Sequence, residues 1–127
     1  MLTIPTCLGK SPLHGYGCFT SEPLEAGIVI WVYTPGVDRV LGEKPSYLER
    51  LHAYGSNARP GKLVLCGDNA AWINFGDPAN LIEAELVREE FCLRTSVAIK
   101  AYTELTVSLD SDADSAWKLK CMKEGEN

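Results

Sequence analysis

The chain has 127 residues, 46% of them hydrophobic and 23% charged, which fits one ordinary globular domain able to bury a core without disulfides or metal. Its net charge of −5 argues against nucleic acid as the main partner, because phosphate neutralisation needs clustered Lys and Arg, and it suits a basic protein or peptide. No apolar run approaches the ~20 residues of a membrane helix, and the first residues, MLTIPT, lack a basic start and an apolar stretch, so the expected setting is intracellular with no membrane contact.

In chain order, runs of Val, Ile and Thr broken by Gly and Pro predict a mainly β fold. Leu2 to Cys7 reads as a first strand. Gly15 and Gly17 mark an irregular turn, Cys18–Thr20 a short strand and Leu24–Gly27 another turn. Ile28 to Tyr33 is apolar and β-branched enough for a buried strand. Tyr47, Leu48, Leu51 and Tyr54 fall at helical spacing, with Ser46 as N-cap, Gly55 as stop and His52 on the polar side. Lys62 to Cys66 returns to strand. Trp72-Ile73 reads as the end of a buried strand that runs into "NFGDPAN", a turn bracketed by Asn74 and Asn80. Ile82–Val87 and Phe91–Val97 predict a hairpin around Arg88-Glu89-Glu90, and Glu104–Leu109 a last strand. The polar stretch from Asp110 holds Trp117, and a flexible tail is expected over 118–127, after one domain over 1–117. The five scattered cysteines (7, 18, 66, 92 and 121) form no C-x-x-C pair, so most are expected to be buried thiols and no metal site is expected. Asp110, Asp112 and Asp114 alternate but lack the further ligands of a calcium loop, and read as a solvated acidic loop.

Three separated segments, taken in order, resemble the SET domain of protein-lysine methyltransferases, whose small single-domain viral members are similar in length. "SPLHGYGCFTSEPLEAGIVI" resembles the family's G-x-G-x-F element, with Gly15, Tyr16, Gly17, Phe19 and Gly27 in register. "WINFGDPAN" is similar to its N-H-S-x-x-P-N block, with Asn74 and Asn80 at the matching ends. "SVAIKAYTELTVSL" looks like its G-E-E-L-T-x-x-Y ending, matching at Glu104, Leu105 and Thr106. The resemblance implies a SET-like β-clip of small sheets with a short helix and a knot-like threading of the C-terminal segment.

It also implies a pocket for S-adenosylmethionine. His14, Gly15, Tyr16 and Gly17 would meet the cofactor's amino-acid end, where small residues permit close approach. Asn74 would hydrogen-bond it through its side chain and Phe75 through its backbone, and Trp117 would stack on the adenine or else plug the C-terminal segment. The implied reaction is methyl transfer to a lysine of a basic, histone-like protein. The family tyrosine that orients the amine is Leu109 here, and the Gly-Glu pair of that motif is Tyr102-Thr103. Tyr16 and Tyr102 are the candidate replacements. Loss of the tyrosine keeps two alternatives open: a catalytically degenerate module that binds cofactor or peptide, and a pocket turned to a small-molecule substrate.

Overall fold

A computed structural model describes residues 1–42, 44–55, 63–85, 91–108, 117–118 and 120–121. The elements run β1 (Thr6–Lys10), β2 (Tyr16–Thr20), β3 (Val29–Val32), β4 (Arg39–Val40), α1 (Tyr47–His52), β5 (Tyr54–Gly55), β6 (Leu63–Leu65), a 3-10 turn (Asn69–Trp72), β7 (Asn74–Phe75), β8 (Leu81–Glu85), β9 (Phe91–Thr95) and β10 (Thr106–Val107). They make four small sheets: β1-β2, β3-β9-β8, β4-β6-β5, and a parallel pair of β7 with β10. The expected class, mainly β with one short helix, is the observed one. No helix among the described residues is long and apolar enough to cross a membrane.

The first strand begins later than its apolar pattern suggests. Pro5 has no N–H to give a ladder, so β1 starts at Thr6, while Leu2 forms a lone bridge with Trp31. β1 and β2 pair antiparallel, with Gly9 opposite Gly17, and the Ser11 N–H closes the turn on the Gly15 carbonyl at 2.8 Å. Gly17 is therefore a strand residue, and the turn proper lies at Gly15, whose φ of 51° favours glycine. In β3, Ile30 and Trp31 are both buried, and a register shift against β9 between Val29 and Trp31 lets consecutive side chains enter the core. With Cys18, Val64, Leu81, Leu93, Ile99, Leu105 and Val107 they form one cluster. The β8–β9 ladder confirms the expected hairpin, whose turn at Arg88-Glu89-Glu90 lies outside the described residues.

Ser46 caps α1 as predicted, in a reciprocal box with Glu49. The helix ends at Ala53, ahead of the expected Gly55 stop, because Tyr54 and Gly55 pair with β6. It buries no residue, and its Leu48 is 65% exposed. Its hydrophobic spacing does not serve the core. Trp72 also departs from its expected place. Asp68 caps residues 69–72 into a 3-10 turn by accepting the Ala70 N–H at 3.1 Å, so Trp72 is a half-exposed turn residue and not the end of a buried strand. Lys118, expected in a flexible tail, is buried and donates from Nζ to the Ala53 carbonyl.

The C-terminal segment lies along β2: the Tyr102 N–H donates to the Thr20 carbonyl at 2.7 Å and the Leu105 N–H to Cys18 at 2.8 Å. Reaching that path puts Tyr102 at φ 61°, in the left-handed region, where the family motif has glycine. Its side chain is 73% exposed and gives back little packing. Tyr102→Gly is thus expected to stabilise the fold by about 0.5–1 kcal/mol, the relief of left-handed strain exceeding the entropy of a more flexible unfolded chain. Urea unfolding of the two proteins measures this, and a loss of stability would show that the tyrosine ring contributes more than its backbone costs.

Candidate functional site

The 3-10 turn, β7, α1 and the glycine turn surround a cavity of about 490 Å³, within the ~300–1,000 Å³ usual for small-molecule and cofactor sites. His14, Gly15 and Tyr16 form one side and Trp72, Ile73, Asn74 and Phe75 the next. Leu51, His52 and Ala53 face them from α1 and its C-cap, and Val107 and Lys118 reach in from the C-terminal segment. Segments some 60 residues apart in sequence thus share one concave surface.

Asn74 creates that convergence. Its Nδ2 lies 3.0 Å from the His14 carbonyl, 3.0 Å from the Tyr16 carbonyl and 2.8 Å from Glu104 Oε2. All three neighbours are acceptors, which fixes the orientation of the amide, and its two hydrogens are shared among them. Glu104 in turn accepts from Ser11 Oγ at 2.7 and 2.9 Å. The carboxylate lies so close to Gly17 that an added Cβ would come within 2.3 Å of Oε2. Asn80 does a similar task one turn later: its Nδ2 donates to the Glu104 carbonyl at 2.8 Å, and its Oδ1 accepts the Thr106 N–H at 2.8 Å. The two asparagines hold β7 and β10 together as a parallel pair.

This changes the roles expected for several residues. The side-chain N–H groups of Asn74 bind the protein itself, so only its Oδ1 is left to meet a ligand among the described contacts. At Gly17 the small size is required by the Glu104 carboxylate, and Gly17 does not line the cavity. At Gly15 nothing lies within 4 Å of where a Cβ would be, and the requirement is conformational. His14, Tyr16 and Phe75 are on the wall; Tyr102 is not. Trp117 is also absent from the wall. Its ring meets Tyr47 edge-on at 5.6 Å and carries the Arg50 guanidinium at 4.1 Å. Leu109 and the acids at 110, 112 and 114 lie outside the described residues.

Trp72, Tyr47, His52 and Lys118 line the cavity beyond the residues expected from the sequence, and Glu104 ties its segments together. Trp72 meets Tyr16 edge-on at 6.3 Å and His52 at 5.4 Å, so His52 is on an aromatic wall and not on a polar face. The Lys118 Nζ lies 5.9 Å from the centre of the Phe75 ring. Glu104 was visible as a motif match, but its task of joining the segments was not. Cys66 also borders the cavity. Burial pushes its thiol up to about 12, so it stays protonated near neutral pH and is no nucleophile.

No protein-family model matches the chain, and no curated protein matches it in sequence. Solved structures do match in shape. Polycomb Repressive Complex 2 from Chaetomium thermophilum, bound to S-adenosylmethionine in an autoinhibited conformation, aligns with a TM-score of 0.66 at 20% identity over 95% of this chain. The same complex with trimethylated and methionine-substituted histone H3 aligns at 0.62, with 18% identity over 84% of this chain. This chain spans only 17% and 14% of those two chains. A Plasmodium falciparum protein assigned as a histone methyltransferase aligns at 0.60, with 16% identity over 84% of this chain and 94% of that one. The fold is that of the SET domain of histone methyltransferases.

The Asn74–Glu104 contact is open to a direct test. Asn74→Ala and Glu104→Ala are each expected to cost about 1–3 kcal/mol in urea unfolding, as hydrogen bonds to a charged group do. The double variant should lose less than the sum, by about 1 kcal/mol or more. Simple additivity would mean that the two side chains act independently.

Proposed function

We propose that the chain binds S-adenosylmethionine in this cavity and transfers its methyl group to a lysine of a basic protein. The observation that carries the reading is the meeting of His14-Gly15-Tyr16 with Asn74-Phe75 on one wall, the two segments whose resemblance pointed to a cofactor pocket. The residues fit such a group. Asn74 Oδ1 is an acceptor suited to the ammonium of the cofactor's amino-acid end, Gly15 leaves open space, and the volume is adequate. When bound, S-adenosylmethionine supplies an electrophilic methyl group on a positively charged sulfur.

The remaining work belongs to the chain. Ile73, Phe75 and Val107 exclude water, and an apolar passage lowers a lysine's pKa from its reference of about 10.4, which favours the neutral amine that attacks. Confinement in line with the methyl group supplies much of the rate. Of the two candidate tyrosines, Tyr16 is on the wall and Tyr102 is not, so Tyr16 is the hydroxyl assigned to orienting the amine. A net charge of −5 suits a basic partner, and structural neighbours include a complex solved with histone H3.

Leu109 favours a second reading, in which the module binds the cofactor or a peptide without turnover, since leucine can neither donate nor accept a hydrogen bond. Calorimetry with S-adenosylhomocysteine and transfer of labelled methyl to core histones separate the two. Binding with transfer to lysine is the expected result, and Leu109→Tyr should raise the rate about tenfold or more, the effect of one added hydrogen bond in the transition state. Binding with no transfer to histones or to small amines would establish the second reading. Failure to bind the nucleoside would remove the first reading and the cofactor-binding form of the second.

A further inference from the structure

Resting on the cofactor reading above, we propose that Trp72, and not Trp117, is the platform on which the adenine of the bound nucleoside stacks. The chain has three tryptophans, and their surroundings differ sharply. Trp31 is only 2% exposed and belongs to the core. Trp117 lies outside the cavity wall, with its ring covered by the Arg50 guanidinium and met by the edge of Tyr47. Trp72 is on the wall and 39% exposed.

Its setting suits stacking. The ring planes of Tyr16 and His52 are inclined to the indole by 82° and 58°, so neither neighbour is stacked parallel on it. Those two contacts, from β2 and from α1, hold the indole in place. The backbone beneath is equally fixed: Asp68 caps the 3-10 turn on one side, and β7 pairs with β10 on the other. A platform fixed before binding spends little of the ligand's binding energy on ordering. Trp72 is two residues from Asn74, at most ~7 Å along the backbone, so one cofactor molecule can set its base on the ring and its ammonium against the Asn74 oxygen.

The test is calorimetric titration of S-adenosylhomocysteine and adenosine into the wild-type chain and into Trp72→Ala, Trp72→Phe and Trp117→Ala, with circular dichroism to confirm folding. Trp72→Ala should weaken both ligands about tenfold or more, as loss of a base–aromatic stack does. Trp72→Phe should retain most of the affinity and Trp117→Ala nearly all. In the Trp31→Phe/Trp117→Phe variant, adenosine should quench the remaining indole fluorescence. Wild-type-like affinity in Trp72→Ala would overturn the proposal while leaving the cofactor reading intact. So would equal losses in Trp72→Ala and Trp72→Phe, which indicate a packing role, or a loss confined to S-adenosylhomocysteine with adenosine unaffected, which indicates contact with the amino-acid arm and not with the base. A wild-type chain that binds neither nucleoside removes the cofactor reading and this inference together.

Discussion

The Glu104 carboxylate is shared between Ser11 and Asn74, and the cavity depends on that sharing. Glu104 precedes β10, Ser11 opens the glycine turn and Asn74 begins β7, so one side chain joins three segments that no continuous sheet connects. Short strands of two residues hold little by themselves, and β7 and β10 need such side-chain ties to stay paired. Asn74 extends the tie to the carbonyls of His14 and Tyr16, which sets the glycine turn against the rim of the cavity. A residue larger than glycine at 17 would displace the carboxylate and loosen all three.

Chemical consequences follow from where this tie leaves spare groups. Asn74 turns its N–H groups inward and offers an oxygen, so the pocket is built to receive a hydrogen-bond donor at that point. Its walls are otherwise mainly apolar and aromatic, with Lys118 contributing a buried cation that donates to Ala53 and lies over Phe75. Such a site can confine and dehydrate a ligand. In the proposed reaction the orienting hydroxyl is that of Tyr16 on the cavity wall, and not one from the position held by Leu109.

Local chemistry was legible in the sequence wherever one residue decides a conformation. Ser46 announced a helix start, Gly15 a turn, and the alternation of β8 and β9 their pairing. The amide-rich turn after Trp72 could also be read as a meeting point, because no strand interior needs so many side-chain acceptors and donors. What could not be read was direction. Trp72 follows an apolar Ala-Ala pair and looks like core, yet the Asp68 cap bends the chain and turns the indole toward the cavity. Trp117 could be read as the ligand's aromatic partner or as a plug for the C-terminal segment, and its contacts with Arg50 and Tyr47 are tertiary ones that no local pattern announces. Tyr102 was visible as a departure from glycine, while its positive φ shows that the backbone kept the shape that glycine would take.

The central claim is that the glycine turn and the asparagine strand are two faces of one receptor for a nucleoside. Nuclear magnetic resonance of nitrogen-15-labelled protein, titrated with S-adenosylhomocysteine, tests it most directly. The backbone amides of Gly15 and Phe75 and the side-chain amide of Asn74 should all shift along one saturation curve. A saturating ligand that moves one of these groups and leaves the others unchanged would contradict it.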